Sequence, residues 1–182
     1  MILFRRRSNN RELKRKIAEV IIDLKQLHKR AYVWRARLEE RIRDYEVRLR
    51  YETIEEKKVA VANSIAMYRR ALRLITKIEV ALELLLLRLE TLNLLKLTGD
   101  ELIMIKSVLG SIKGFTEGFP DISVITEDLV ERVNDLIQYL PALGEPSYTV
   151  KAEGEARKIL EEARVLAEER LKETFPLSLI HI

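Results

Sequence analysis

Residues 59–97 read VAVANSIAMYRRALRLITKIEVALELLLLRLETLNLLKL, the longest apolar run of the chain. Within it Val61, Ile65, Tyr68, Leu72, Ile75, Ile78, Leu82, Leu85, Leu89 and Leu92 recur at steps of three and four. That spacing places them on one stripe of a single helix, which at about 1.5 Å per residue would run roughly 60 Å. Val80, Leu84, Leu87 and Leu94 form a second stripe beside the first. A helix apolar on two stripes needs two covers, supplied by its own chain or by copies of it. Glu79, Glu83, Arg88 and Glu90 interrupt the run within bilayer depth, so a membrane span is not expected.

Working outward, 182 residues with 47% hydrophobic content suffice for one domain with a core. Charged residues make up 34%, Gly and Pro are few, and alternating β-branched runs are missing, which predicts an all-α fold. The absence of cysteine removes disulfides and thiolate chemistry and fits a reducing compartment. No secretory leader is read at the start, since Met1–Phe4 is too short and positive charge follows it. Residues 1–50 carry 16 Lys/Arg against 7 Asp/Glu, a net +9, whereas residues 51–182 carry 17 against 22, a net −5. That partition points to an anionic partner at the basic end and to an electrostatic match between the two parts, within one molecule or between molecules.

Residues 1–10 read as a separate segment: an apolar start, the collar Arg5-Arg6-Arg7, then the polar break Ser8-Asn9-Asn10. Such a segment is either a frayed terminus or a wedge for the headgroup boundary of an anionic membrane. From Arg11 to about Tyr51 a first long helix is predicted, capped by Asn9 or Asn10. Leu13, Ile17, Val20, Leu24, Leu27, Ala31, Trp34 and Leu38 form its heptad seam, which calls for a partner helix of equal length. A stutter follows at Ile42, Tyr45 and Leu49. Trp34 reads as a packing anchor. Lys14, Arg15, Lys16, Lys29 and Arg30 lie beside the seam and suit an acidic lipid surface. Nucleic acid is not the expected partner, because aromatics are not interleaved with the cations and no DNA-docking motif is present.

Residues 52–58 join the two long helices, with Thr53 and Glu56 as a candidate capping box. An antiparallel hairpin is predicted; one continuous helix is the alternative. Gly99 suits a left-handed end to the second helix and Asp100 a cap for the third, which is read from Glu101 to about Gly110. The Gly-rich stretch 110–120 is read as a hinge, since it lacks the Lys-Ser/Thr ending of a phosphate loop. A fourth helix follows over 121–140, a linker over 141–152, and a fifth, acidic amphipathic helix from Glu153 to about Thr174. The fifth presents Ala156, Ile159, Leu160, Ala163, Leu166, Ala167 and Leu171 on one side. An isolated helix of that length is marginal in water, so its order depends on what it docks against.

A basic long hairpin, two shorter helices and an acidic fifth helix on a linker together resemble the ESCRT-III family, and in particular its archaeal cell-division branch, the CdvB-like proteins. The local likeness is strongest over residues 155–176, EARKILEEARVLAEERLKETFP, which is similar to the fifth helix of that branch. The resemblance implies a four-helix core over 11–140 and an autoinhibitory fifth helix and tail over 153–182. It implies a cytoplasmic subunit, peripheral on the inner membrane surface at the division site, that polymerises into filaments with itself and its paralogues to remodel membranes. In such a molecule Ile159, Leu160, Ala163, Leu166 and Leu171 would dock back on the hairpin. Val80, Leu84, Leu87 and Leu94 would exchange that cover for a neighbouring subunit, and Gly99 would be the hinge where the second and third helices merge. Arg5, Arg6, Arg7, Lys14, Arg15, Lys16, Lys29 and Arg30 would meet the acidic membrane.

The family also engages a Vps4-type AAA ATPase through short motifs at or beyond the fifth helix. Here the tail Phe175–Ile182 has one proline and no proline-rich run, and Leu166 to Arg170-Leu171 is one residue wider than the helical motif. An ATPase partner is thus carried by the resemblance alone. A coiled-coil adaptor without membrane activity, and a basic helical nucleic-acid binder, are the competing readings. No enzyme, catalytic residue, metal site or cofactor is expected: His28 and His181 are the only histidines, and no Glu-x-x-His pair is present.

Overall fold

The computed structural model describes residues 2–90, 99–139 and 146–175, with side chains over 11–90, 99–139 and 150–175. It is all helical there: α1 Ile2–Tyr51, α2 Glu55–Glu90, α3 Gly99–Lys113, α4 Pro120–Gln138 and α5 Pro146–Thr174. α1 and α2 form the long antiparallel hairpin. The α1 seam, from Ile17 through Val20, Leu24, Leu27 and Ala31 to Leu38 and Ile42, is buried in one core with Leu72, Ile75, Leu82 and Leu89 of α2 and the helices beyond.

The two ends of the hairpin differ. Near the turn the two helices have only each other, and Ile65 is the one buried residue of α2 before Leu72. There they are held by the edge-on contact of Tyr45 and Tyr68 at 5.3 Å, by Arg41 donating to the Tyr68 hydroxyl at 3.2 Å, and by Arg69 on Glu46 at 2.7 Å. Toward the other end, α2 is buried on most sides. There α5 crosses α2 and α3, α3 packs on α4, and α4 lies on α1.

α4 is seated on α1 by named contacts. The Trp34 indole N–H donates to both carboxylate oxygens of Asp121 at 3.1 Å, and its ring meets Phe119 edge-on at 5.2 Å. Further along, Arg132 pairs with Asp23, and Lys16 lies 5.0 Å from the Tyr139 ring centre. Trp34 is thus an anchor with a polar handle, as an indole half-buried between helices requires.

Several boundaries differ from the sequence reading. Ser8-Asn9-Asn10 does not break the chain: α1 runs through it, because three residues of mediocre helix propensity cost only a few tenths of a kcal/mol each and no Gly or Pro stands among them. The turn is capped one residue later than Thr53. The Ile54 carbonyl accepts from Lys58 N–H, and the Glu52 carboxylate, not the Thr53 hydroxyl, accepts the N–H groups of Thr53 and Ile54 at 3.1 Å. Gly99 opens α3, and no described glycine has a positive φ.

The Gly-rich hinge is shorter and better packed than expected. Residues 110–113 continue α3, and Thr116 and Phe119 are buried, with Phe119 N–H donating to Thr116 at 2.9 Å. α5 begins at Pro146, seven residues before the expected start. Proline fits a first helical turn because the N–H it lacks would be unpaired there.

Candidate functional site

The candidate site is the seat of α5 on the hairpin. Ala152, Ala156, Ile159, Ala163, Ala167, Leu171 and Phe175 are buried, while Leu160 and Leu166 are partly buried and pack on the same core. Four of the seven buried residues are alanines, and small side chains let one helix lie close on another. Each alanine brings less apolar area than a leucine would, so the hold per turn is modest.

Two ion pairs flank the seat: Arg170 with Glu83 at 2.8 Å and Arg88 with Glu155 at 3.7 Å. Their side chains are a third to a half exposed, which makes each worth at most about 1 kcal/mol. A cleft of about 260 Å³ remains between α2, α3 and α5, lined by Ile78, Ala81, Ile112, Phe115, Leu160 and Ala163. Small side chains, exposed ion pairs and an unfilled cleft together describe a joint that holds without being fused.

On α2, Val80 is buried, Leu84 is partly buried on the core, and Leu87 is 52% exposed. Helical spacing sets Val80 and Leu84 between Glu83 and Arg88, the two residues that grip α5. Leu94 lies outside the described residues. Gly99 stands at the start of α3, beside Asp100, whose buried Oδ1 has no hydrogen-bond partner. Burial, and then the neighbouring Glu101 charge, raise the Asp100 pKa above the usual carboxylate range, while Lys151 of α5 pulls it back.

The basic residues singled out on α1 are not equivalent. Lys14 and Lys29 are exposed and have no ion-pair partner among the described residues. Arg15 reaches Glu19, and Lys16 reaches Glu12, each at 3.7 Å. Arg30 is drawn to Asp121 at 3.5 Å. These pairs are surface contacts, screened and weak, and they leave the cations available to a stronger anion. The side chains of Arg5, Arg6 and Arg7 lie outside the described residues, though their backbone is helical.

Sequence reasoning missed Ala152 and Phe175, which extend the seat at both ends, and the pairing of Glu83 and Arg88 with α5. The spacing of Ala152, Ala156, Ala163 and Ala167 could have located the first. It missed Glu79 as well, which is 3% exposed and accepts from Arg35 Nε at 2.5 Å. Burial alone would lower the Arg35 pKa; hydrogen bonds from its guanidinium to Glu79 and Glu39 outweigh that and raise it.

No family model and no solved structure matches the chain. Among characterised sequences it is 34% identical over 117 residues to Cell division protein B1 of Sulfolobus acidocaldarius, across 63% of this chain and 55% of that protein. To Cell division protein B of the same organism it is 26% identical over 169 residues, 90% of this chain and 65% of the relative. To Cell division protein B3 it is 25% identical over 169 residues, 91% of this chain and 99% of the relative. These likenesses support a CdvB-like family for the chain.

This CdvB-like chain spans little more than half of the B1 relative and just under two thirds of the B relative, and nearly all of the B3 relative. The five helices of the CdvB-like fold described above agree with the architecture that the resemblance implied. Among the described residues no helix is long and apolar enough to cross a membrane.

Proposed function

We propose that this CdvB-like chain acts in archaeal cell division as a subunit that assembles into filaments on an acidic membrane surface, with α5 as a releasable cover on α2. The observation that carries the reading is the way α5 is held. It covers a strongly apolar stretch of α2 through alanines, two exposed ion pairs and an incompletely filled cleft. Removing it would uncover Val80, Leu84 and their neighbours beside the already exposed Leu87. An apolar strip of that kind on a charged helix is a surface for another subunit.

The names of the relatives support the division role, and the excess of cations on α1 supports the membrane partner. The chain then works peripherally on the inner membrane surface at the division site, with itself and its paralogues as partners. A Vps4-type ATPase belongs to the same reading, and residues 176–182, where its motif would be sought, lie outside the described residues. No reaction is assigned to the chain.

The test is sedimentation with acidic and neutral vesicles, followed by negative-stain imaging, for the full chain and for Leu160→Asp/Leu166→Asp. The double variant should assemble more readily than wild type, and both should pellet with acidic vesicles in a salt-sensitive way. Equal pelleting with neutral vesicles at low salt, or no filaments from either protein, would overturn the proposal.

A further inference from the structure

The cleft between α2, α3 and α5 has a divided wall. Ile78, Ala81, Ile112 and Ala163 are buried and make its floor. Phe115, 43% exposed, and the partly buried Leu160 stand at its edge. The other groups that line it are Lys77, Ser111 and Arg164, two cations and a hydroxyl with no carboxylate among them. Lys77 is partly buried and has no ion-pair partner among the described residues. Arg164 is exposed and donates to Glu161 of its own helix through Nε and one Nη, at 3.2 and 2.6 Å. Its second Nη is left for another anion.

We infer that this cleft binds one single-chain amphiphile with an anionic head, and that the bound molecule pins α5 to its seat. An apolar floor with a few polar groups converging at one edge is the arrangement of a small-molecule site. At about 260 Å³ it has room for one extended chain and not for a helix about 10 Å across. The chain leaves water against Ile78, Ile112 and Phe115, while the head meets Lys77, Ser111 and Arg164. A cationic head is refused by the same two charges.

The consequence follows from where the walls come from. Of the three polar groups, α2 supplies Lys77, α3 Ser111 and α5 Arg164. A site divided in that way exists only while α5 is seated, and a ligand that binds one state alone shifts the balance toward it. At about ten times its dissociation constant such a ligand lowers the released fraction about tenfold. The inference rests on the reading of α5 as a releasable cover and gives that cover a ligand that keeps it closed.

The test titrates the full chain by calorimetry with decanoate below its micelle concentration, and with decyltrimethylammonium and acetate as probes of head sign and of chain. Decanoate should bind one molecule per chain, decyltrimethylammonium at least about tenfold more weakly, and acetate not measurably. Lys77→Gln/Arg164→Gln should weaken decanoate about tenfold and leave decyltrimethylammonium no weaker, a pattern that general loosening of the fold would not give. Ala81→Leu fills the cleft from α2 and should abolish binding of both amphiphiles. Decanoate should also slow proteolysis within residues 146–175 in proportion to the fall in the released fraction. Equal affinity for the two head signs, or decanoate binding that survives the glutamine pair or Ala81→Leu unchanged, overturns the site. Cleavage that is unchanged or faster with decanoate bound overturns the pinning. Self-association of the ligand-free chain that Ala81→Leu abolishes would give the cleft to a second copy and overturn the site as well. If decanoate binds and protects α5 as stated but filaments form on vesicles equally fast with and without it, the site and the pinning stand, and the reading of α5 as the cover of the assembly surface is lost instead.

Discussion

Arg35 Nε donates to Glu79 Oε2 across 2.5 Å between the two long helices, at a carboxylate that is 3% exposed. The same guanidinium holds Glu39 at 2.8 Å, four residues along α1. Taking a carboxylate out of water costs several kcal/mol, which the pair recovers only while it is complete. Glu79→Ala should therefore destabilise the chain by about 3 kcal/mol, whereas Arg35→Met/Glu79→Leu together should be nearly neutral. Urea unfolding of the two variants beside wild type checks this. A single mutant as stable as the double would mean that the pair is solvated and sets nothing; if the contact fixes the register of α1 on α2, Glu79→Ala should also broaden the unfolding transition.

Trp34 is the only tryptophan, and its contact with Asp121 reports on α4. Trp34→Phe keeps a ring against Phe119 and loses the donor, for an expected cost of about 1–2 kcal/mol. Asp121→Ala leaves the indole N–H without its acceptor and Arg30 without its partner, and should cost about as much. Combined, the two should cost clearly less than their sum, a coupling of about 1 kcal/mol in a double-mutant cycle. Strict additivity would show that the hydrogen bond contributes nothing in solution.

Gly154 sits inside α5, and a Cβ built on it meets nothing within 4 Å. Gly154→Ala should then stabilise α5 by about 0.5–1 kcal/mol through the lost backbone freedom of the unfolded chain. Since α5 is the proposed cover, the variant should resist proteolysis over residues 146–175 and assemble more slowly. Faster cleavage there would show that the helix is limited by its seat and not by its own propensity.

Asp100 gives a pH dependence. Burial first, then the charge of Glu101, hold its pKa above the usual carboxylate range. A carboxyl raised on folding contributes fully below its unfolded pKa, about 4, and that contribution is lost as pH rises through the folded value. Asp100→Asn keeps the shape without the charge, so it should be more stable than wild type at neutral pH, with the gap closing below about pH 4. Thermal unfolding at the two pH values measures it. A gap of the same size at both would trace the effect to something other than ionisation.

The sequence was most legible where one helix period ran long. The Ile17–Leu38 seam and the Ile65–Leu89 stripe dictate the hairpin, because apolar residues at steps of three and four have one way to leave water together. Helix ends were less legible. Ser8-Asn9-Asn10 looked like a stop and is not one, and Pro146 looked like linker and is a helix start. Local propensities there differ by tenths of a kcal/mol, and the rest of the fold outweighs them. The seat of α5 was half visible: Ile159, Ala163 and Leu171 were marked by period, while Phe175 and the grip of Glu83 on Arg170 needed coordinates.

By itself the chain of residues determined that this protein is helical, that its two longest helices pair, and that positive charge gathers in the first while negative charge gathers in the rest. Those properties follow from period and composition, which are local or additive. Only the tertiary structure decided which side of α2 falls to α5, that Glu79 is buried against Arg35, and that α4 is fastened to α1 by Asp121 on Trp34 with Glu127, Asp128, Glu131 and Asp135 facing out. Such choices depend on how several helices share one interior, where the contact of any two is fixed by where the others already lie.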